Sequence, residues 1–413
     1  MKRVLDPGGL AALLDRPGVR RAHAALDEPG AETRLVGGCV RDALLGIAAA
    51  DIDLTTTLRP EIVMARARAA GLKAVPTGIE HGTVTLITDD GPLEVTTLRE
   101  DVETDGRHAV VRFGSDFASD AERRDFTINA LSLGRDGRLH DTVGGLADLE
   151  DGRVRFIGDP ATRIREDALR ILRFFRFHAR FGSGAPEAAA LSACVAARDS
   201  LRRLSRERIR DEFLKLLVAT GGPAMVSILS GTGLLQRITG GVGEVGRLER
   251  AAGAGLSPVM RLAALAVGAR HDADRLRDRL RLSNPEHGQL TAYAAALAGL
   301  HGRTAVGATA ARALAAEHGL PLVTETLAIL ASEPRPGVTD AARQALTALR
   351  EEGGPPTFPI AGADLVAAGI PPGPAIGRAL AAARRLWLER GCPSDADARA
   401  ALLECALASA YAL

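Results

Sequence analysis

The sequence predicts an α+β protein, with a mixed α/β region at its N-terminal end and helices throughout the remainder. Three observations lead there. The first third switches repeatedly between period-2 and period-3.6 hydrophobic patterns. Strand signals fade beyond about Gly145. The rest is rich in Ala, lacks β-branched runs and is divided by Gly/Pro breaks, a composition that favours helices.

In chain order, Thr33 to Val36 reads as a strand that stops at Gly37-Gly38, and Cys39 to Leu45 as a helix closed by Gly46. Asp51 to Thr57 alternates like a strand, and Pro60 at a helix N1 position opens a helix through Ala70. Strands at Thr83 to Thr88 and Leu93 to Leu98 are joined by the turn Asp89-Asp90-Gly91-Pro92. Glu100 to Asp120 is polar with little periodicity and is expected to be a mobile loop. Arg123 to Ala130 is expected to be helical, leading into a strand at Leu131 to Leu133. Ile164 to Phe181 reads as one helix. The next begins at Arg206, capped by Ser205, with Ile209, Phe213, Leu216 and Leu217 on its apolar face. Breaks at Gly221-Gly222-Pro223, Pro334 to Gly337 and Gly353 to Pro356 divide the remaining helices. Ile376, Leu380, Ala383 and Trp387 lie at helical spacing and read as core packing.

Composition narrows the function. At 413 residues the chain should form roughly two to four domains. It is 46% hydrophobic and 25% charged, as ordinary globular proteins are, with only 3% aromatics. No apolar run is long enough to span a bilayer, and Met1 to Leu14 does not read as a signal peptide. The scattered Cys39, Cys194, Cys392 and Cys405 make neither a disulfide frame nor a zinc site, so a cytoplasmic setting is expected. Net charge is +1, yet Arg163 to Lys215 carries 13 Lys+Arg against 7 Asp+Glu. That stretch reads either as a phosphate-following surface or as a solvated helical face.

Four segments carry candidate chemistry. Asp51-Ile52-Asp53 puts two carboxylates on one face of a strand, an arrangement that bridges Mg²⁺ ions in phosphoryl transfer and also borders ordinary turns. Upstream, Gly37-Gly38-Cys39-Val40-Arg41-Asp42 makes a glycine turn into a helix, where the backbone can approach a triphosphate and Arg41 can pair with phosphate. Its simpler reading is a tight turn. Glu94 is a candidate third ligand or general base, or else an edge-strand charge. Asp167, Arg170, Arg173 and Arg176 recur every three residues along one helical stripe, with Leu169, Leu172, Phe174, Phe175 and Phe177 on the buried side. An Asp–Arg pair offers the acceptor and donors that match the pairing edges of cytosine and adenine and mismatch those of uracil and guanine. An exposed ion pair of Glu166 with Arg170 is the alternative reading of that helix.

Together and in order, with Glu122-Arg123-Arg124-Asp125-Phe126-Thr127-Ile128-Asn129-Ala130-Leu131 between them, these segments resemble the class II CCA-adding tRNA nucleotidyltransferases and the related bacterial poly(A) polymerases. The strong likeness covers about Arg34 to Phe181. A weaker one extends through Arg208 to Leu217, Gly231 to Leu235, and Gly362 to Leu380 with its Pro371-Pro372-Gly373-Pro374 turn. The resemblance implies a polymerase-β-like nucleotidyltransferase head over 1–145, then all-α neck, body and tail domains over 146–222, 223–350 and 351–413. It implies Mg²⁺ on Asp51 and Asp53; Glu94 stays the candidate catalytic carboxylate read from its place on the strand. Gly37, Gly38, Arg41 and Arg124 would contact the nucleotide, and Asp125 would select ribose. Asp167 and Arg170 would read the base edge, supported by Arg173 and Arg176.

The implied partners are tRNA, CTP and ATP, with neither membrane nor DNA, and helices of the tail would hold the tRNA by shape. Poly(A) addition, CC-only or A-only addition, and an inactive RNA-binding module are the alternatives. Arg99 to Asp116, with Arg107-His108 and Phe113, resembles the loop associated with full CCA addition. His271-Asp272 is the nearest likeness to an appended phosphohydrolase and reads as a surface pair.

Overall fold

A computed structural model describes residues 2–104, 109–114 and 116–411. The chain divides into two compact units, Met1–Leu204 and Ser205–Leu413. In the first, helices α1 (Pro7–Leu14) and α2 (Pro17–Ala25) precede strand β1 (Thr33–Val36), helix α3 (Gly38–Leu44), strand β2 (Ile52–Thr56) and helix α4 (Pro60–Ala69). Strands β3 (Lys73–Gly78), β4 (Thr83–Thr88) and β5 (Gly91–Thr97) come after them. Next are the antiparallel ribbon β6 (Arg99–Thr104) and β7 (Ala109–Phe113), helix α5 (Phe117–Glu122), and strands β8 (Ser132–Gly134) and β9 (Leu139–His140). Helices α6 (Gly145–Asp151), α7 (Pro160–Glu166), α8 (Arg170–Phe181) and α9 (Ala188–Ala196) complete the unit.

Seven strands form one mixed sheet in the order β3-β4-β5-β2-β1-β8-β9. β2 and β5 run parallel, and such a pair needs a crossover, which α4, β3 and β4 provide between them. Ile52, Leu54, Leu93, Val95, Val84 and Leu86 are buried on one face of these central strands. Asp53, Glu94, Thr85 and Thr96 occupy the alternate positions. The hydrophobic alternation thus delivers a polar face in the middle of the sheet.

Three local expectations are corrected. The polar stretch expected to be a loop forms the β6–β7 ribbon and then α5, where the Asp116 carboxylate caps the Ala118 and Ser119 N–H groups at 2.9 and 3.1 Å. Arg107 and His108 lie outside the described residues. Arg123 to Ala130 is not a helix: α5 ends at Glu122, and Phe126 is extended (φ −125°, ψ 147°) before one 3₁₀ turn at Thr127–Asn129. The Asp125 side chain competes for the backbone there, accepting from the Phe126 N–H at 2.9 Å. Nor is Ile164 to Phe181 one helix. Asp167 is extended (φ −147°, ψ 108°), and its carboxylate accepts from the Leu169 N–H at 3.0 Å, ending α7 and opening α8. Strand β3 went unforeseen.

Six of the ten phenylalanines form one cluster, Phe174, Phe175, Phe177 and Phe181 on α8 with Phe126 and Phe156 packed against them. Ring centroids lie 4.8 Å apart for Phe126–Phe156 and 5.6 Å for Phe156–Phe174. Scarce aromatic area is thus concentrated where it fastens the arginine-bearing helix to the head. Gly145 allows the start of α6 to close on the 3₁₀ turn, since a Cβ there would meet the Thr127 carbonyl oxygen at 2.2 Å.

The second unit is nearly all helical. Helix α10 (Arg206–Val218) starts at Ser205, whose Oγ accepts from the Arg208 N–H, and buries Ile209, Phe213, Leu216 and Leu217 as its periodicity predicts. Trp387, Ala379 and Ala383 lie in a core with Leu365, Ile370 and Leu402, and half-buried Ile376 and Leu380 pack against it. That stripe is packing, as expected. Two short parallel strands, Ala305–Val306 and Gly337–Val338, escaped the sequence reading. Among the described residues no helix is long and apolar enough to cross a membrane.

Phe174 is fully buried at the centre of the aromatic cluster, so Phe174→Ala should cost about 3–5 kcal/mol. The expected result is a lower urea midpoint for the first unit, monitored by near-ultraviolet circular dichroism.

Candidate nucleotide and metal site

The polar face of the central strands holds the carboxylates. Parallel pairing of β2 with β5 sets Asp53 opposite Glu94. Asp51 stands just before the first strand residue, so the two Asp of the motif are not both on β2. Burial pushes the Asp53 carboxyl above its ordinary range; Glu94 and Asp51 push the same way, and Arg124 opposes them. Glu94 lies on an interior strand, which removes its reading as an edge-strand charge. Among the described residues no three His, Cys, Asp or Glu side chains form a group able to hold a metal ion. Mg²⁺ needs only one or two carboxylates beside water and substrate phosphates, so Asp51 and Asp53 suit it, and a cation there would relieve the repulsion on Asp53.

The glycine turn lies alongside. Gly37 has φ +76° and ψ −126°, and its N–H donates to the Leu131 carbonyl at 2.9 Å. Its positive φ favours glycine, and a Cβ there would lie 2.8 Å from Arg124 Nη1, so any other residue would also displace that guanidinium tip. Gly38 begins α3. Next comes Cys39, buried, with its thiol pushed up to about 11 by burial; it stays protonated and serves as core, not nucleophile.

Arg41 sits differently from its expected place on a phosphate. It is only 4% exposed. Its Nε and Nη2 donate to Asp42 at 2.8 and 2.6 Å, Nη1 donates to Asn129 Oδ1, and its guanidinium lies 4.1 Å from the Phe181 ring centroid. Burial lowers its pKa, while Asp42 sustains the charge. Asp42 also accepts from Arg180 at 3.1 Å.

Arg124 spans from Asp120, to which it donates at 3.2 and 3.1 Å, to the Asn129 carbonyl at 3.4 Å, and so sits between the glycine turn and Asp53. Asp125 is buried and accepts from Asn129 Nδ2 and the Phe126 N–H at 2.9 Å and from Arg173 at 2.6 Å. Burial alone would raise its pKa. The Arg173 charge and these hydrogen bonds outweigh it and hold the carboxyl below its ordinary value.

Of the arginine stripe, Arg170, Arg173 and Arg176 share α8, while Asp167 precedes it. Arg173 and Arg176 lie 5.2 and 4.3 Å from the Phe177 ring centroid. Arg170 pairs with Glu166, the alternative the sequence left open, and donates to the Arg163 carbonyl at 2.8 Å. Arg163 in turn donates to the carbonyls of Arg123 and Arg124 and to Glu166 at 2.7 Å. A single guanidinium therefore ties the Arg-Arg-Asp turn to the start of the arginine helix.

Sequence reasoning missed Asp120, Asn129 and Arg163. The one available signal was position: Asn129 falls inside the motif already singled out, and Arg163 sits one α-helical turn before Glu166-Asp167. The His271-Asp272 pair is a surface feature as expected, at 3.6 Å with His271 largely exposed, and Asp272 caps the Gly268 and Ala269 N–H groups.

The chain is similar to proteins of known families. The family described as Poly A polymerase head domain matches residues 33–155, and that described as probable RNA and SrmB-binding site of polymerase A matches 185–239. The CCA-adding enzyme of Limosilactobacillus fermentum is 33% identical over 379 residues, covering 90% of this chain and 92% of that one. The mitochondrial CCA tRNA nucleotidyltransferase 1 of Danio rerio is 40% identical over 263 residues; the match spans 62% of this chain and 61% of the relative's own length. The crystal structure of the Bacillus stearothermophilus CCA-adding enzyme in complex with CTP superposes with a TM-score of 0.70 at 27% identity, over 90% of this chain and 93% of that one.

The raised pKa of Asp53 has a testable sign. The folded state binds its proton more tightly than the unfolded state, so stability falls as pH rises from the ordinary carboxylate range through the raised value. Asp53→Asn should therefore melt higher than the unsubstituted protein at pH 7, with the gap closing below about pH 4. Millimolar MgCl₂ should narrow the gap at pH 7 by stabilising only the protein that retains Asp53.

Proposed function

The chain belongs to the family of CCA-adding tRNA nucleotidyltransferases, and from that premise we propose that it adds C, C and A to the 3′ end of tRNA from CTP and ATP, without a template. The observation that carries this reading is the convergence of Asp53, Glu94, Arg124 and the Gly37 turn on one polar face of the central sheet. Nucleotidyl transfer needs a place where negative charge collects: carboxylates for a divalent cation, guanidinium groups for phosphate, and backbone free of side chains for close approach.

In the reaction the 3′-hydroxyl of the tRNA attacks the α-phosphate and pyrophosphate departs. Asp51 and Asp53 would hold Mg²⁺, which would supply charge neutralisation for the triphosphate and lower the cost of deprotonating the hydroxyl. Arg124, facing the Gly37 turn, is placed to meet phosphate oxygens. Arg41, buried behind the turn, acts through Asn129 and Asp42, with no direct approach to phosphate in this arrangement. Asp125, held by Arg173 and Asn129, reads the ribose.

Base reading by Asp167 and Arg170 requires Arg170 to exchange Glu166 for the nucleotide. Glu166 is nearly half exposed and keeps its bond to Arg163, so it can release Arg170 without becoming a buried, unpaired charge. The residues 1–145, 146–222, 223–350 and 351–413 serve as head, neck, body and tail in this reading. A cytosolic setting is in keeping with four free cysteines.

The deciding assay is incubation with tRNA lacking CCA plus labelled CTP and ATP, where three added nucleotides are expected. Long A tails without C would mean a poly(A) polymerase instead. Asp53→Ala should lower incorporation by at least about two orders of magnitude while tRNA binding persists. Arg170→Ala should relax the CTP/ATP preference over UTP and GTP; unchanged base choice with full activity would refute its role.

A further inference from the structure

Three of the residues assigned to nucleotide handling bond to a fourth, to which the sequence reading gave no role. Asn129 ends the 3₁₀ turn after the Arg-Arg-Asp segment and is 7% exposed. Its Oδ1 accepts from Arg41 Nη1 and its Nδ2 donates to Asp125 Oδ1 at 2.9 Å. Its carbonyl accepts from Arg124 Nη1 at 3.4 Å and lies 3.5 Å from where a Cβ on Gly37 would be. Chemistry settles the orientation of the amide: a guanidinium only donates and an ionised carboxylate only accepts, so oxygen must face Arg41 and nitrogen Asp125.

We infer that Asn129 is a positioning residue that sets the Asp125 carboxylate for ribose selection by bridging it to Arg41. Asp125 has two side-chain partners, Arg173 from α8 and Asn129 from its own turn. Arg173 is a charge partner on the neighbouring helix and holds Oδ2; on Oδ1 the Asn129 amide joins the Phe126 N–H as a second neutral donor. Since Arg41 is anchored by Asp42 and stacked on Phe181, the amide transfers the position of α3 to Asp125. The glycine turn and the ribose-reading carboxylate are thereby held in one register. Substitution of Asn by the isosteric Asp would keep the contact to Arg41 and set two carboxylates against each other, so that they share a proton and titrate above the ordinary range. The charged groups facing that pair are Arg41, Arg173 and Arg163, with Arg124 on the Asn129 carbonyl; Asp42, Arg176 and Arg180 act on Arg41 behind them.

This inference rests on the nucleotidyltransferase reading, and one experiment separates the two. The kcat/KM for CTP and for dCTP is measured on tRNA lacking CCA, for the unsubstituted enzyme, Asn129→Asp and Asn129→Ser, between pH 6 and 8.5. An unsubstituted enzyme that adds no C overturns the functional reading itself. If it adds C and prefers CTP, Asn129→Asp should lose about 10–100-fold of that preference at pH 8 and regain part of it at pH 6. Asn129→Ser should lose preference without the pH-dependent recovery. Equal slowing on both nucleotides, with the CTP/dCTP ratio intact at every pH, overturns the positioning role. In case either substitution prevents folding, the side-chain amide resonance of Asn129 is monitored in the unsubstituted enzyme. It should shift on adding CTP and far less on adding dCTP, and identical shifts overturn the proposal.

Discussion

A carboxylate kept ionised inside a protein must be surrounded by donors, and Asp125 is the point where the first unit meets that demand. Its partners come from three places: Arg173 on α8, Asn129 on the 3₁₀ turn, and the backbone N–H of Phe126. Through Asn129 the network continues to Arg41 and Asp42 on α3, and through Asp42 to Arg180, back on α8. Removing one member would leave a buried charge or amide unsatisfied, which costs more than the bond itself contributes. The network therefore specifies one arrangement of glycine turn, Arg-Arg-Asp segment and arginine helix. The six phenylalanines on and against α8 supply the apolar area that makes so polar a layer tolerable.

The second constraint is sheet register. Because β2 and β5 pair in parallel, Asp53 and Glu94, forty-one positions apart, become neighbours. A one-residue slip would turn one of them into the apolar face. Burial is the main cause of the raised Asp53 pKa, and repulsion from Glu94 and Asp51 adds to it, because negative charge is collected before any cation or triphosphate arrives. Arg124 offsets part of it, and Asp120, itself buried, orients Arg124.

The second unit obeys simpler rules. Its helices pack through Leu and Ala with Trp387 as the largest anchor, and the Trp387 Nε1–H finds the Pro393 carbonyl at 3.0 Å. Small side chains permit close helix packing, which compensates for the scarcity of aromatics. Periodicity alone sufficed to read α10 and the Ile376 to Trp387 stripe, because both are stable, locally capped or strongly periodic helices.

The sequence by itself determined the class of the protein, the strands that bear Asp53 and Glu94, and the glycine turn. These are local properties: alternation, helical period and glycine placement act within a few residues. Tertiary structure decided what those residues do to one another. It buried Arg41 when the motif suggested a phosphate contact, and it paired Arg170 with Glu166. It broke two expected helices at Asp125 and Asp167, where a carboxylate took the backbone N–H groups that helix continuation would have used. It also gave Asn129 its place between Arg41 and Asp125. Side-chain competition for backbone and buried charge pairing depend on partners from distant segments, so no local pattern in the chain announces them.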